Sequence, residues 1–180
     1  SERSRGLGDV YKRQLLFCGP RGVGKTSCAR ILAKKINDLD ENFEYNIFEL
    51  DAASNNSVED IRNITEQIRI PPQYGKFKVY IIDEVHMLSN AAFNAFLKSL
   101  EEPPPHVVFI LATTEKNKII PTILSRCQIY DFKKVDNNSI IGLLQKICKE
   151  KKIKFDDSSL QIIAEKSDGS IRDSLSMFDR

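Results

Sequence analysis

The sequence predicts an α/β fold with a parallel sheet, followed by a small helical domain. Short apolar segments alternate with amphipathic helical patterns from residue 15 onward, as in chains that build parallel sheets. The middle apolar segments are continuously hydrophobic, as expected of strands covered on both faces. From Asp136 onward the strand-like segments stop and only helical patterns follow. We therefore expect a sheet sandwiched between helices and a second, helical domain.

Five segments are predicted as strands, because each is short and apolar and is bounded by turn or helix signals. They are residues 15–18, 47–51, 78–83, 107–113 and 128–132.

Helices are predicted from apolar residues that recur every three or four positions. Residues 25–36 and 90–100 both show this spacing, and Ser57 and Ser89 stand where helix caps are expected, with Asp60 completing a capping pair. Three further helical stretches are residues 137–152, 157–166 and 170 to the end.

Residues 1–14 stand apart from this pattern. The letters DVYKRQ at residues 9–14 resemble the in-frame translation of a sequencing-library adaptor, so we expect this segment to be an artefact rather than native sequence. The whole chain has a net charge of +2, but without this segment it carries 23 basic and 23 acidic residues. Net charge therefore gives no support for nucleic-acid binding, which would need a local patch or an assembled surface.

Composition indicates an ordinary globular protein, with 41% hydrophobic and 29% charged residues among 180. No apolar segment approaches the roughly 20 residues of a membrane span. The four cysteines are widely separated, which favours reduced thiols and a cytoplasmic location.

A phosphate-binding loop is predicted where GPRGVGKT, residues 19–26, fits the pattern GxxxxGK[ST] between a strand and a helix. Glycines let backbone N–H groups wrap phosphates, Lys25 reaches the β and γ phosphates, and the Thr26 hydroxyl holds Mg²⁺. A chance glycine-rich turn is the alternative. The predicted ATP-binding residues are Gly19, Pro20, Arg21, Gly22, Val23, Gly24, Lys25, Thr26 and Ser27.

Two carboxylates end the strand VYIIDE. Asp83 is placed to hold Mg²⁺ together with Thr26, and Glu84 to orient and deprotonate an attacking water. An acidic helix start or turn would give the same two letters.

Four other polar residues have competing interpretations. Thr113 or Thr114 senses the γ-phosphate or positions the water, or merely ends a strand, and Arg126 is an arginine finger or half of a surface ion pair. Arg172 opens a helix, where a cation is unfavourable, so it faces an anion or pairs with Asp168 or Asp173. His86 and His106 lack partners at ligand spacing and receive no role.

Longer blocks make the pattern specific: ELDAASNNSVEDIR at 49–62, KVYIIDEVHMLS at 78–89, FNAFLKSLEEPPPHVVFILATTE at 93–115, IPTILSRCQ at 120–128 and DGSIRDSLS at 168–176. With them, residues 15–180 resemble the γ/τ family of bacterial DNA polymerase III clamp-loader subunits, which are AAA+ ATPases with a P-loop.

The resemblance implies a five-stranded parallel sheet in the order 5-1-4-3-2, within an ATP-binding core at residues 15–135. It further implies that the core lacks its N-terminal segment, that a truncated lid domain follows at 136–180, and that the collar domain is not included in this sequence. It makes Thr114 a γ-phosphate sensor, Arg126 a finger acting in a neighbouring subunit and Arg172 a second sensor, while Lys98 faces DNA. Many relatives carry a four-cysteine zinc module, but residues 37–46 contain no cysteine or histidine, so no zinc is expected.

The implied function is an ATPase motor that opens a sliding clamp and places it on primed DNA. Its implied partners are the delta and delta-prime subunits, further gamma/tau copies, the clamp and the DNA backbone, in the cytoplasmic replisome at the nucleoid, without a membrane. No polymerase active site is expected. The alternatives are a non-hydrolysing scaffold subunit, which the intact GPRGVGKT disfavours, and another AAA+ protein of DNA metabolism, such as a branch-migration motor.

Overall fold

The computed structural model describes residues 14–37, 43–55 and 57–179. The chain divides into two compact units. Within the described part, the first contains residues 14–18 and Thr26–Asp131, and the second contains Gly19–Lys25 and residues 132–179. The expectations for residues 1–13 and for part of the segment 37–46 lie outside the described residues.

The first unit contains a five-stranded sheet. Its strands are β1 (Gln14–Cys18), β2 (Ile47–Asp51), β3 (Lys78–Asp83), β4 (Val107–Thr113) and β5 (Gln128–Asp131). They lie in the order β2-β3-β4-β1-β5, and every neighbouring pair is parallel. The predicted fold class and strand order are therefore confirmed. Because the strands are parallel, the carboxyl ends of β3 and β4 lie side by side.

Two strand ends differ from the prediction. Strand β1 begins one residue earlier, at Gln14, which pairs with Phe109 and is buried. The Gln14 amide also donates a hydrogen bond to the carbonyl of Leu100. Strand β5 ends one residue earlier, at Asp131, because its neighbour β1 ends at Cys18, which pairs with Asp131. Beyond Asp131, β5 has no residue of β1 with which to form further backbone hydrogen bonds.

The described helices of the first unit are α1 (Lys25–Ile36), which belongs to it from Thr26 onward, α2 (Val58–Arg69), α3 (Asn90–Glu101) and the short α4 (Pro121–Leu124), with 3-10 turns at Phe43–Asn46, Val85–Met87 and Lys116–Lys118. Ser57 and Asp60 form a reciprocal capping box at the start of α2, as predicted. Ser89 accepts a hydrogen bond from the amide of Ala92 at the start of α3. Helix α3 ends at Glu101, one residue beyond the prediction.

The core of this unit lies between the sheet and helices α2 and α3. Apolar residues of the strands and of these helices are fully buried in one cluster, among them Leu16, Ile82, Phe109, Ile61, Ile68 and Phe96. The alternate strand residues, such as Leu15, Ile81 and Ile110, are buried as well, so both faces of the sheet are covered.

The second unit contains α5 (Asn137–Lys151), α6 (Asp157–Lys166) and α7 (Ile171–Phe178) around a small core of Ile140, Leu144, Leu160 and Ala164. Asp136, Asp156 and Ser170 cap the three helix starts. Helix α5 ends where Lys152 adopts a left-handed conformation, with φ 56°. Among the described residues, no helix has the length and apolar character needed to cross a bilayer.

Candidate nucleotide-binding site

The predicted phosphate-binding residues form a tight loop between β1 and α1. Gly19, Gly22 and Gly24 have φ values of 146°, 76° and 96°, which side-chain-bearing residues rarely adopt. Inside the loop, the Lys25 ammonium donates hydrogen bonds to the carbonyls of Gly19, at 2.9 Å, and Pro20, at 2.7 Å. Lys25 and Val23 are buried, whereas Arg21 and Ser27 are exposed. The loop thus presents the compact backbone that the motif predicts.

Within the second unit, the loop packs against the start of α7. The backbone N–H of Arg172 donates to the carbonyl of Gly22 at 3.3 Å. A Cβ atom at position 22 would lie 2.0 Å from the Ser170 hydroxyl oxygen, so any other residue there would displace that hydroxyl.

In the first unit, Thr26 and Asp83 are in direct contact. The Thr26 hydroxyl donates to Asp83 Oδ2 at 2.7 Å, and the backbone N–H of Glu84 donates to Asp83 Oδ1 at 3.0 Å. Thr26 lies in the first turn of α1 and Asp83 ends β3, so helix and strand together place the two oxygens. A hydroxyl and a carboxylate are ligands that suit Mg²⁺, which keeps most of its waters. The described residues contain no cluster of three or more His, Cys, Asp or Glu side chains able to hold a metal. The oxygens of Thr26 and Asp83 are of the kind that fit Mg²⁺ with several of its waters retained.

Glu84 is fixed by the end of the neighbouring strand. It adopts a left-handed conformation, with φ 49° and ψ 45°, at the point where β3 turns into the 3-10 segment. Both the hydroxyl and the backbone N–H of Thr114 donate to Glu84 Oε2, at 3.0 and 3.2 Å. The structure thus brings Thr114 and Glu84 together, because β3 and β4 are adjacent.

One residue of this cluster was missed by the sequence analysis. The side chain of His86 is 4% exposed, and its Nδ1 lies 2.8 Å from Thr113 Oγ1 and 3.4 Å from Glu84 Oε2. On the other side of the ring, Nε2 lies 3.6 Å from Glu115 Oε1. These partners are distant in sequence. The strand order implied by the resemblance was the available signal, since it places the residues after β3 beside those at the end of β4.

Arg126 follows α4 and makes local contacts. Its Nη1 donates to the carbonyl of Thr122 at 3.0 Å and lies 3.6 Å from Glu101 Oε1. The side chain is 40% exposed, so it is open to solvent as well as paired. Of the two interpretations of Arg126, the surface ion pair is therefore present within this chain, with Glu101.

Arg172 and Lys98 are exposed. Arg172 occupies the second position of α7, and no ion pair with Asp168 or Asp173 is found in the part of the chain that the structure describes. Asp168 pairs instead with Lys134. Lys98 lies on the solvent side of α3. Within the described part of the first unit, no hydrogen bond or ion pair joins Lys98 to Glu84.

Comparison with known proteins adds two family matches. Residues 42–136 match the family model for the DNA polymerase III delta subunit, and residues 139–180 match the model for the ATPase lid domain of the DNA polymerase III clamp loader subunit. The tau subunit of DNA polymerase III from Bacillus subtilis is 46% identical over 94% of this chain and 33% of its own length. The chain spans about a third of the length of the curated relatives that it matches first.

Two solved structures from Thermotoga maritima share the fold. The RuvB Holliday junction branch migration motor superposes with a TM-score of 0.72 at 21% identity, covering 97% of this chain and 55% of RuvB. A DNA polymerase III gamma subunit-related protein superposes with a TM-score of 0.65 at 23% identity, covering 91% and 56% of the two chains. At these identities the likeness concerns the fold alone.

Proposed function

This chain belongs to the family of DNA polymerase III clamp-loader subunits, and from that premise we propose that it is an ATP-hydrolysing motor subunit that loads a sliding clamp onto primed DNA. One observation carries the proposal beyond family membership: the Glu84 carboxylate is held by Thr114 next to the Thr26–Asp83 pair. A subunit that only held others together would need neither an anchored base nor a paired hydroxyl and carboxylate.

ATP binding falls to the loop and to Thr26 and Asp83. The glycine-rich backbone offers N–H groups to phosphate oxygens, and Lys25 supplies the positive charge. Thr26 and Asp83 would hold Mg²⁺, which neutralises developing charge on the phosphates when bound. The Lys25 ammonium lies inside the loop, where it donates to the carbonyls of Gly19 and Pro20, and it would exchange these carbonyls for phosphate oxygens.

Glu84 would act as the general base. The hydrogen bonds recorded for its carboxylate both end on Oε2, which fixes the group and leaves Oε1 to accept a proton from water. Thr114 would keep the carboxylate in one orientation through its hydrogen bonds to Oε2, beside the γ-phosphate sensing that the resemblance implies.

Three further cations would act on the neighbouring subunit, the nucleotide or the DNA. Arg126 would stabilise transition-state charge in a neighbouring subunit, after leaving its contact with Glu101. Arg172 would face nucleotide phosphate, and Lys98 would contact the DNA backbone, as the resemblance implies. Proposed partners are the delta and delta-prime subunits, further gamma/tau copies, the clamp and primed DNA, in the bacterial cytoplasm.

Steady-state ATP hydrolysis tests this function in the full-length protein, assembled with its partner subunits, clamp and primed DNA. We expect clamp- and DNA-stimulated turnover in the wild type. Arg126→Ala should lower it by about 10³-fold or more, the usual loss for an arginine finger. Glu84→Gln should bind ATP and fail to hydrolyse it, while Lys149→Ala, which removes an exposed charge from α5, should keep full activity. Nucleotide binding without turnover in the wild type would indicate the scaffold subunit instead.

A further inference from the structure

The buried histidine beside Glu84 has no part in the chemistry described so far. We propose that His86 is a positioning residue that fixes the orientation of the Glu84 carboxylate by joining it to the end of β4. This inference rests on the proposed ATPase function, because it assigns a role within the same site.

The His86 ring lies at the junction of three chain segments. Nδ1 faces Thr113 Oγ1 at the end of β4 and Glu84 Oε2 just after β3, at 2.8 and 3.4 Å. Nε2 faces Glu115 Oε1, just before the 3-10 turn Lys116–Lys118, at 3.6 Å. A carboxylate oxygen only accepts hydrogen bonds, so a proton on Nδ1 suits Glu84 Oε2 and a proton on Nε2 suits Glu115 Oε1.

The neighbours of the ring are themselves held in place. The Thr113 hydroxyl accepts a hydrogen bond from the backbone N–H of Glu115 at 3.0 Å, and Thr113 is fully buried. Glu115 pairs with Lys118 at 2.7 Å, and this partner lowers the pKa of the Glu115 carboxyl, so Glu115 is ionised. Among the residues that the structure describes, the charged groups that contact the ring are Glu84 and Glu115. His86 therefore links Glu84 to Thr113 and Glu115, whose own positions are held by further contacts.

The contacts at Glu84 Oε2 explain why this connection matters for catalysis. Thr114 donates to Oε2, and Nδ1 of His86 approaches the same oxygen. Two neighbours at one oxygen restrict rotation of the carboxylate, so that Oε1 keeps one direction. A displacement of about 1 Å in a catalytic group can cost on the order of 100-fold in rate. A histidine that only filled space could be replaced by an apolar side chain without this loss.

The test uses the assembled clamp loader with full-length subunits, clamp and primed DNA. We expect His86→Leu to lower kcat for ATP hydrolysis by about 10- to 100-fold while the Kd for ATP stays unchanged. His86→Asn keeps an amide N–H where Nδ1 stands and should restore kcat to within a few-fold of the wild type. If His86→Leu does not fold, His86→Gln replaces it, since its amide reaches the Glu115 side but not the Nδ1 position, and the same loss of kcat is expected.

His106→Leu is the matched control. His106 Nε2 bonds to the carbonyl of Ile68 at 3.0 Å, away from Glu84, so this variant should lower the melting temperature and keep kcat. The proposal is overturned if His86→Leu, or His86→Gln in its place, keeps the wild-type kcat. It is overturned as well if His86→Asn loses as much rate as His86→Leu. If the wild type itself binds ATP without turnover, the proposed function fails first, and the role of His86 falls with it.

Discussion

Replacing Gly22 by alanine should destabilise the protein more than the same change at Gly24, although both glycines lie in one loop. Both have positive φ, at 76° and 96°, which costs an L side chain about 1–2 kcal/mol. A Cβ atom at Gly24 meets nothing within 4 Å, whereas at Gly22 it would lie 2.0 Å from the Ser170 hydroxyl oxygen. The two positions thus share backbone strain and differ in crowding.

The extra cost at Gly22 follows from what Ser170 does. Its hydroxyl caps α7 by accepting a hydrogen bond from the N–H of Asp173 at 3.1 Å. Rotating the hydroxyl away removes the cap, and losing a serine cap costs about 1 kcal/mol. We therefore expect Gly22→Ala to cost about 2–3 kcal/mol and Gly24→Ala about 1–2 kcal/mol. The entropy that alanine removes from the unfolded chain is the same for both variants and cancels in the comparison.

Urea unfolding followed by circular dichroism measures these costs from the midpoints, provided that the m value is unchanged. A Ser170→Gly background completes the test, since glycine at a cap costs only a few tenths of a kcal/mol and removes the crowded hydroxyl. In that background Gly22→Ala should lose most of its excess cost over Gly24→Ala, since only the Arg172 Cβ atom, 3.3 Å away, then remains close. Equal costs in the wild-type background, or no relief in the Ser170→Gly background, would refute the reasoning.

Two more predictions concern the first unit. Burial raises the pKa of the Cys127 thiol to about 12, so little thiolate forms there at pH 8. Iodoacetamide should therefore label the exposed Cys28 well before Cys127, as measured by mass spectrometry of the labelled peptides. Phe96 is fully buried and meets Phe109 edge-on at 5.3 Å between ring centroids. Phe96→Ala should therefore lower the free energy of unfolding, measured in urea, by about 3–5 kcal/mol. A loss below about 1 kcal/mol would contradict this packing.

The strands were predictable because each is a local pattern. Three of the five have the predicted bounds, and the two that differ do so at one end. Those ends depend on a neighbouring strand. Strand β5 ends at the residue that pairs with the last residue of β1, and β1 begins at Gln14 because Gln14 pairs with Phe109 of β4. Periodicity within a segment carries no information about where its partner stops. The strand order likewise came from the resemblance and not from the patterns themselves.

In the site, contiguous motifs were easier to find than residues that meet through the fold. The loop, Thr26 and Asp83 follow from spacing and from the strand and helix on either side. The pairing of Thr114 with Glu84 needed the strand order to become visible. The contacts of His86 were not predicted because a single histidine forms no sequence motif. Its partners Thr113 and Glu115 are 27 and 29 positions away in the sequence.

The left-handed conformation of Glu84 has a consequence for how this position should vary in evolution. At φ 49° a glutamate is held in a conformation that glycine or asparagine adopts with less strain. Selection for folding alone would therefore favour replacing it, and selection for hydrolysis must retain it. In lineages where a subunit has stopped hydrolysing ATP, this residue should drift toward glycine or asparagine sooner than the buried strand residues around it.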